Sequence, residues 1–233
     1  MKLGVLSDAH GNLGGFRRAI RTLTSLGADS FVFLGDAIGY IPSPLVVREL
    51  MHMGASIRCI KGNHEHMLLS GAVSCNESVY QLRRTASMLN DTEIEFISSW
   101  PNEFVVESPI GTLLFIHGSP SDTTFGYVYP DTDLQQFACD TRFVFMGHTH
   151  RPFIREGRSC TFVNAGSCGL PRDNGGVGAA AILDFATSVA EIVRFDVRGD
   201  LQAALSAAHP VHPTVEQLLG RTGEAVGGVI TDD

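Results

Sequence analysis

Five apolar runs of strand length each end in a polar cluster flanked by glycine, a pattern that few folds accommodate. The clusters are Asp8-Ala9-His10-Gly11, Gly35-Asp36, Gly62-Asn63-His64-Glu65, His117-Gly118 and Gly147-His148-Thr149-His150. In sheets built from βαβ units, ligands collect at the carboxyl ends of the strands. Glycines there allow positive φ and close approach of the backbone. Clusters far apart in sequence are therefore expected to converge on one edge of the fold.

The runs themselves suggest how that edge is built. Lys2 to Ser7, Ser30 to Leu34 and Ser56 to Lys61 read as strands, with helices between them. Asn12 is placed to cap a helix carrying Leu13, Phe16, Ile20 and Leu23 on one face and closed by Gly27; Pro44 opens a second helix through Met53. This alternation predicts parallel βαβ units with right-handed crossovers. Ser78 to Leu89 and Asp91 to Trp100 read as two more helices, the second capped by Asp91 and stopped by Pro101. Phe104 to Val106 and Thr112 to Ile116 suggest a hairpin, and strands follow at Arg142 to Met146, Pro152 to Arg155, Cys160 to Asn164, Val177 to Asp184 and Glu191 to Asp196. This second half is expected to be antiparallel. Two sheets in one domain with helices outside is the simplest assembly. A catalytic-type domain over 1–200 is expected, then a helical extension and mobile tail over 201–233, with helices at Leu201 to Ala208 and Thr214 to Leu219.

Composition excludes several classes of function. With 233 residues, 44% apolar and 18% charged, the chain has enough material for one cored domain and is not disordered in bulk. A formal charge of -8 argues against non-specific nucleic-acid binding. It leaves a nucleotide or another small phosphate ester open as substrate. The longest apolar run, Ala179 to Leu183, is too short for a membrane span, and no secretory leader is read at the amino terminus. Five cysteines without CxxC spacing read as reduced, buried thiols of a cytoplasmic protein. Oligomeric state is not legible.

What converges is two Asp, one Asn and five His. Imidazole and carboxylate donors without thiolate favour Mn, Fe, Zn, Ni or Co over Mg or Ca. Eight groups are too many for one tetrahedral site but suit two divalent ions with a shared ligand. Asp36 is the natural bridge, because a carboxylate offers two oxygens. A hydroxide between the ions would be a nucleophile near neutral pH.

The five clusters in this order resemble the signature of the calcineurin-like metallophosphoesterase superfamily, over about residues 1 to 170. Ser7-Asp8-Ala9-His10-Gly11-Asn12, Gly35-Asp36-Ala37-Ile38-Gly39-Tyr40, His117-Gly118-Ser119-Pro120 and Asn164-Ala165-Gly166-Ser167 look like small prokaryotic members. The resemblance implies a four-layer αββα sandwich of two mixed sheets flanked by helices. It implies a phosphomonoesterase or phosphodiesterase with two metal ions, Mn or Fe foremost. Asp8, His10 and His150 would hold the first ion, Asp36 would bridge, and Asn63, His117 and His148 would hold the second. His64 would stay off the metals and face the substrate.

His64 suits a general acid, because hydrolysis must protonate the departing oxygen. As the neighbour of Asn63 it is expected at the rim of the site. Glu65 reads equally as its orienting partner or as a solvated helix-start carboxylate. Asn12 is a candidate substrate contact or a plain N-cap. Arg151 and Arg172 are candidate phosphate binders through their forked donors, or members of surface ion pairs. The stretch from Ser119 to Pro130, with Phe125, Tyr127 and Tyr129, suits a wall for the leaving group or simple packing. Gly166-Ser167 is expected to close the back of the site, with Cys168 beside the metals but not a ligand. A non-catalytic metal-binding scaffold of the same fold is the alternative, disfavoured because no ligand position departs from the pattern.

Overall fold

β1 (Lys2–Leu6) is buried along almost its whole length and runs through the middle of a six-stranded sheet. The structure, a computed structural model, describes residues 1–71, 76–224, 226 and 229–230. From β1 the chain passes through α1 (Leu13–Ser25) to β2 (Ser30–Phe33), then through α2 (Leu45–Met53) to β3 (Ile57–Cys59). β1, β2 and β3 pair in parallel, as the alternation predicts. Helices α3 (Asn63–Ser70), α4 (Glu77–Tyr80), α5 (Leu82–Ala86) and α6 (Asp91–Ser99) follow. The chain then builds a second sheet from β4 (Phe104–Val106), β5 (Leu113–Phe115), β6 (Phe143–Met146), β7 (Phe153–Glu156) and β8 (Thr161–Asn164). The hairpin of β9 (Val177–Asp184) and β10 (Val189–Asp196) returns to the first sheet, β9 lying antiparallel to β1. α7 (Arg198–Ala207), α8 (Pro213–Glu216) and a short edge strand, β11 (Val229–Ile230), complete the described chain. The first sheet runs β11-β10-β9-β1-β2-β3 and the second β4-β5-β6-β8-β7.

Period-two alternation decides which face meets which layer. Leu3, Val5, Val32 and Leu34 point to the inter-sheet core with Phe115, Phe145 and Val163. Leu6, Phe31 and Phe33 point the other way, into the core shared with Phe16, Leu23, Val47 and Leu50 of the helices. The outer face of the second sheet, including Val144, Met146 and Phe162, is covered by Val128, Leu134 and Phe137 from the long connection after β5. That connection contributes one helical turn, Leu134–Gln136. The molecule is thus two mixed sheets packed face to face with helices outside, the αββα plan with a thin fourth layer.

Three expectations need correction. The second half is only partly antiparallel: β9 and β10 pair antiparallel as expected, but in the second sheet β5, β6 and β8 are mutually parallel and only its outer strands β4 and β7 run antiparallel. A short turn forces antiparallel neighbours, whereas the long excursion between β5 and β6 lets the chain return in the same direction. The helix expected from Ser78 to Leu89 breaks at Gln81, whose φ of 51° is left-handed. α6 is capped by Asn90, not Asp91: Asn90 Oδ1 accepts from Glu93 N and Glu93 Oε2 accepts from Asn90 N, a reciprocal capping box. In the expected extension, Leu201, Leu205, Val215 and Leu218 bury against Ile41 and Leu170. Of the expected tail, 225, 227, 228 and 231–233 lie outside the described residues, as does Cys75. No helix among the described residues is long and apolar enough to cross a membrane.

Candidate metal centre

Each of the five clusters follows a parallel strand: Asp8 and His10 after β1, Asp36 after β2, Asn63 and His64 after β3, His117 after β5, and His148 and His150 after β6. Both sheets present their carboxyl ends to the same place. Asp8, His10, Asp36, His148 and His150 have φ of 56°, 47°, 59°, 64° and 56°. Left-handed backbone at residues other than glycine costs on the order of 1–3 kcal/mol each and persists only where the surroundings over-determine it. They do so here. Asp8 N donates to Gly35 O at 3.0 Å and His10 N to Asp36 O at 3.0 Å, lacing the first two clusters together. His148 N donates to Asp8 Oδ2 at 3.0 Å, and Ser167 Oγ to Asp8 O at 2.6 Å, so Ser167 does close the back. Glycine's part is mainly space. A Cβ on Gly62 would stand 2.1 Å from Asp36 Oδ1, and one on Gly147 2.6 Å from Asp8 Oδ2.

The side chains form interlocking donor groups: Asp8, His10 and His150; His10, Asp36 and His64; and Asp36, His117 and His148. Asp36 belongs to two of them. His10 Nε2 faces His150 Nε2 at 3.1 Å, and Asp8 Oδ1 lies 3.2 Å from His150 Nε2. Asp36 Oδ2 is 3.7 Å from His10 Nε2 and 3.4 Å from His117 Nε2. His117 Nε2 is 3.1 Å from Asn63 Oδ1 and 3.2 Å from His148 Nδ1.

Tautomers follow from the carbonyls behind the rings. Nδ1 of His10, His117 and His150 meets the carbonyls of Ile38, Leu34 and Leu170 at 2.9, 2.7 and 2.5 Å. A carbonyl only accepts, so each Nδ1 carries a proton, and each ring in its neutral form offers its Nε2 lone pair to the cluster. Two lone pairs 3.1 Å apart, with the buried Asp8 Oδ1 lacking any hydrogen-bond partner, fit a cation and little else.

The electrostatics agree. Burial alone would raise Asp8 and Asp36, but His150 and His10 beside the first, and His117 and His64 beside the second, outweigh it and hold both carboxyls well below the usual range. Burial pushes His148 and His150 down to about 4, keeping both rings neutral. For His117 burial works against the charged form, yet the Asp36 and Asp8 carboxylates raise it to about 9.

Other expected residues fall differently. His64 is not at the rim: it is buried, with Tyr40 and Tyr80 at ring distances of 4.9 and 4.7 Å, and its Nδ1 has no partner. Its Nε2 lies 3.9 Å from Asp36 Oδ2, and burial lowers it to about 3. Glu65 is neither its partner nor solvated. It is fully buried and accepts from the backbone N–H groups of Asp36, Ala37 and Gly62, each at 2.8 Å. Asn12, a candidate substrate contact, is fully buried with both polar ends spent: Oδ1 accepts from Gly15 N, capping α1, and Nδ2 donates to Gly169 O. Arg151 is exposed beside His150, and Arg172 donates to the Tyr40 hydroxyl at 2.6 Å. Of the aromatic stretch, Tyr127 packs on His148 at 4.2 Å and is parallel to Tyr129, while Phe125 lies out by His66. Cys168 is buried and not among the donor groups. Tyr40 and Tyr80 were missed. Tyr40 directly follows the Gly39 of its cluster, a usable signal; Tyr80 arrives through the left-handed Gln81, which leaves none.

Comparison with known proteins agrees with this geometry. The family model described as the calcineurin-like phosphoesterase superfamily domain matches residues 1–188. An uncharacterised protein of Methanocaldococcus jannaschii is 25% identical over 222 residues, covering 83% of this chain and 87% of its own. A metallophosphoesterase from Sphaerobacter thermophilus shares the fold with a TM-score of 0.75 at 24% identity, over 94% of this chain and 99% of its own. A hypothetical protein of Pyrococcus horikoshii OT3 does so with a TM-score of 0.79 at 15% identity, over 97% and 99%. With the family model matching most of its length, and a buried His/Asp cluster at the shared ends of two sheets, the chain belongs to the calcineurin-like phosphoesterase superfamily.

Proposed function

We propose that this protein is a dinuclear metal-dependent phosphoesterase of the cytoplasm, hydrolysing a small phosphate ester or nucleotide. The observation that carries the reading is the pair of facing Nε2 lone pairs on His10 and His150 beside the orphaned Asp8 Oδ1, with Asp36 shared between the neighbouring groups. Asp8, His10 and His150 would hold one ion and Asn63, His117 and His148 the other, with Asp36 shared between them. Mn or Fe suits this nitrogen and oxygen set, with Zn, Ni or Co as substitutes. When bound, two such ions supply an activated water and neutralise phosphoryl charge.

The chain's own groups do the rest. His64 is the general acid: its ring is not tied to a carbonyl as those of His10, His117 and His150 are, so it can hold and release a proton. Burial favours its neutral form, and an arriving phosphate anion restores the charged one. Tyr40 and Tyr80 cover it from water and must shift aside for a substrate. Arg151 and Arg172, which line the groove beside the donor cluster, are the side chains proposed to contact phosphate oxygens that the ions do not hold. Residues 201–224 form an accessory segment on the domain of 1–200.

The test is metal analysis of the purified protein, coupled to hydrolysis of a panel of phosphate esters with Mn, Fe, Zn, Ni or Co added after chelation. About two ions per chain and metal-restored hydrolysis are expected. A single ion, or no hydrolysis with any metal, defeats the proposal.

A further inference from the structure

Beside the metal centre lies a groove of about 350 Å³ whose lining includes Arg151, Arg172, Arg221, Tyr40, Tyr129 and Thr214, and no acidic residue. Three guanidinium groups in one groove run against the sequence, whose net charge is -8. The acids next to lining residues in the chain are engaged elsewhere: Asp173 pairs with Arg194 at 2.7 Å, and Glu216 of α8 lines a different depression.

The groove abuts the donor cluster. Tyr40, part of its lining, packs edge-on against His10 at 4.7 Å. Arg172 N donates to the carbonyl of His150, and its guanidinium is close enough to help depress that ring's basicity. Two of the three arginines are held in place. Arg172 Nη2 donates to Tyr40 Oη at 2.6 Å, and Arg221 Nη1 donates to Arg172 O at 3.0 Å. Arg151 has no partner among the described residues and projects into solvent. Each guanidinium thus keeps N–H donors unspent. One phosphate at the metal centre does not need three arginines in a groove to one side of it. A second anionic group does.

Thr214, Val215, Leu218 and Arg221 of the lining also lie beyond residue 188, where the family match ends. The metal centre comes from the part of the chain shared with the family. The carboxyl-terminal segment, beyond that match, supplies Arg221 and the other three.

We propose that this arginine groove binds a second phosphate of the substrate, making the preferred substrate a phosphoanhydride or polyphosphate ester of the nucleoside diphosphate class. This rests on the phosphoesterase reading above and narrows it. With ADP, water adds to the terminal phosphorus and the bond to the bridging oxygen breaks. That oxygen leaves on the α-phosphate held in the groove, and AMP and inorganic phosphate are released with the proton balance of an ordinary hydrolysis.

The test uses wild type, Arg151→Ala, Arg221→Ala and Arg221→Lys. Calorimetric titration of metal-free protein with inorganic pyrophosphate reads the groove without catalysis. Metal-loaded protein is assayed for kcat/KM on ADP and on p-nitrophenyl phosphate. Pyrophosphate should bind tighter than phosphate, and each alanine variant should weaken it about tenfold, the loss of one charge-assisted contact. The ratio of kcat/KM on ADP to that on p-nitrophenyl phosphate should fall by a similar factor, with Arg221→Lys recovering part. Arg151→Ala removes no folding contact, so it keeps the result readable if Arg221→Ala is unstable. Equal pyrophosphate binding in wild type and both alanine variants, or an unchanged ratio, overturns the inference. Arginine-dependent pyrophosphate binding without hydrolysis of any ester would instead overturn the phosphoesterase reading.

Discussion

Glu65 clips helix α3 to the loop that presents Asp36. Its two carboxylate oxygens accept from Asp36 N and Ala37 N, and Oε2 also accepts from Gly62 N. Asn63 and His64 start that same helix, so one buried carboxylate sets their position relative to the shared ligand of the cluster. Glu65→Gln keeps the shape but replaces one acceptor with an amide that points donors at donors. It should cost about 2–4 kcal/mol of stability and lower metal content, although residue 65 binds no metal. Thermal denaturation and metal analysis check this; a variant with wild-type melting and full metal would show that Glu65 clips nothing.

The shared ligand gives a second outcome. Asp36→Ala should strip both ions or cut total occupancy sharply, whereas Asp8→Ala should deplete the first ion more than the second. Equal, partial loss in the two variants would mean that Asp36 does not bridge.

The pH dependence follows from opposing shifts in the metal-free protein. The folded-state values of His148 and His150 lie below their ordinary 6.5, at about 4. Their contribution is therefore complete above about pH 6.5 and lost as pH falls toward 4. Glu65 and His117 work the other way: burial and Asp36 raise Glu65 to about 7, and Asp36 raises His117 to about 9 against the pull of burial. Their contributions are complete at low pH and lost as pH rises through those values. Chelated protein should melt highest close to neutrality and lose stability on both sides. A melting temperature flat from pH 4.5 to 7 would contradict the acid limb.

Gly39 supplies a fourth. Its φ is +90°, and an added Cβ would stand 1.9 Å from His64 Nδ1. Gly39→Ala pays a left-handed backbone penalty on the order of 1 kcal/mol and must push His64 aside. Turnover should fall at least tenfold while metal content holds. Unimpaired turnover would show that the observed His64 position is not the working one.

How much of this the sequence discloses depends on the range of the interactions. The clusters holding Asp8, His10, Asp36, Asn63, His117, His148 and His150 are legible because each contains or adjoins a glycine at the end of an apolar run, and the carboxyl ends of the two sheets meet by topology. Glu65 was misread because its partners Asp36 N and Ala37 N come from another strand's loop. Asn12 was ambiguous for the same reason: its cap on Gly15 is local, but Nδ2 finds Gly169 far along the chain. The parallel pairing of β5, β6 and β8 was hidden by a long connection with no helical period. Arg221 carries no local mark, and only the fold of the carboxyl-terminal segment brings it beside Arg172.

His64 carries the last prediction, because it separates catalysis from metal binding. Its Nε2 lies 3.9 Å from Asp36 Oδ2, near enough to a donor group that ligation has to be tested directly. If it is the general acid, His64→Asn leaves metal content unchanged and lowers turnover by roughly 10²–10⁴-fold, the range for a positioned acid. The loss should be greatest for alkyl phosphates, whose alkoxide leaves poorly without a proton. It should be smaller for p-nitrophenyl phosphate, whose phenolate leaves nearly unaided. Equal losses on both esters with metals intact would reduce His64 to an electrostatic or binding role. Loss of an ion would make it a ligand and shift the protonation step to another group.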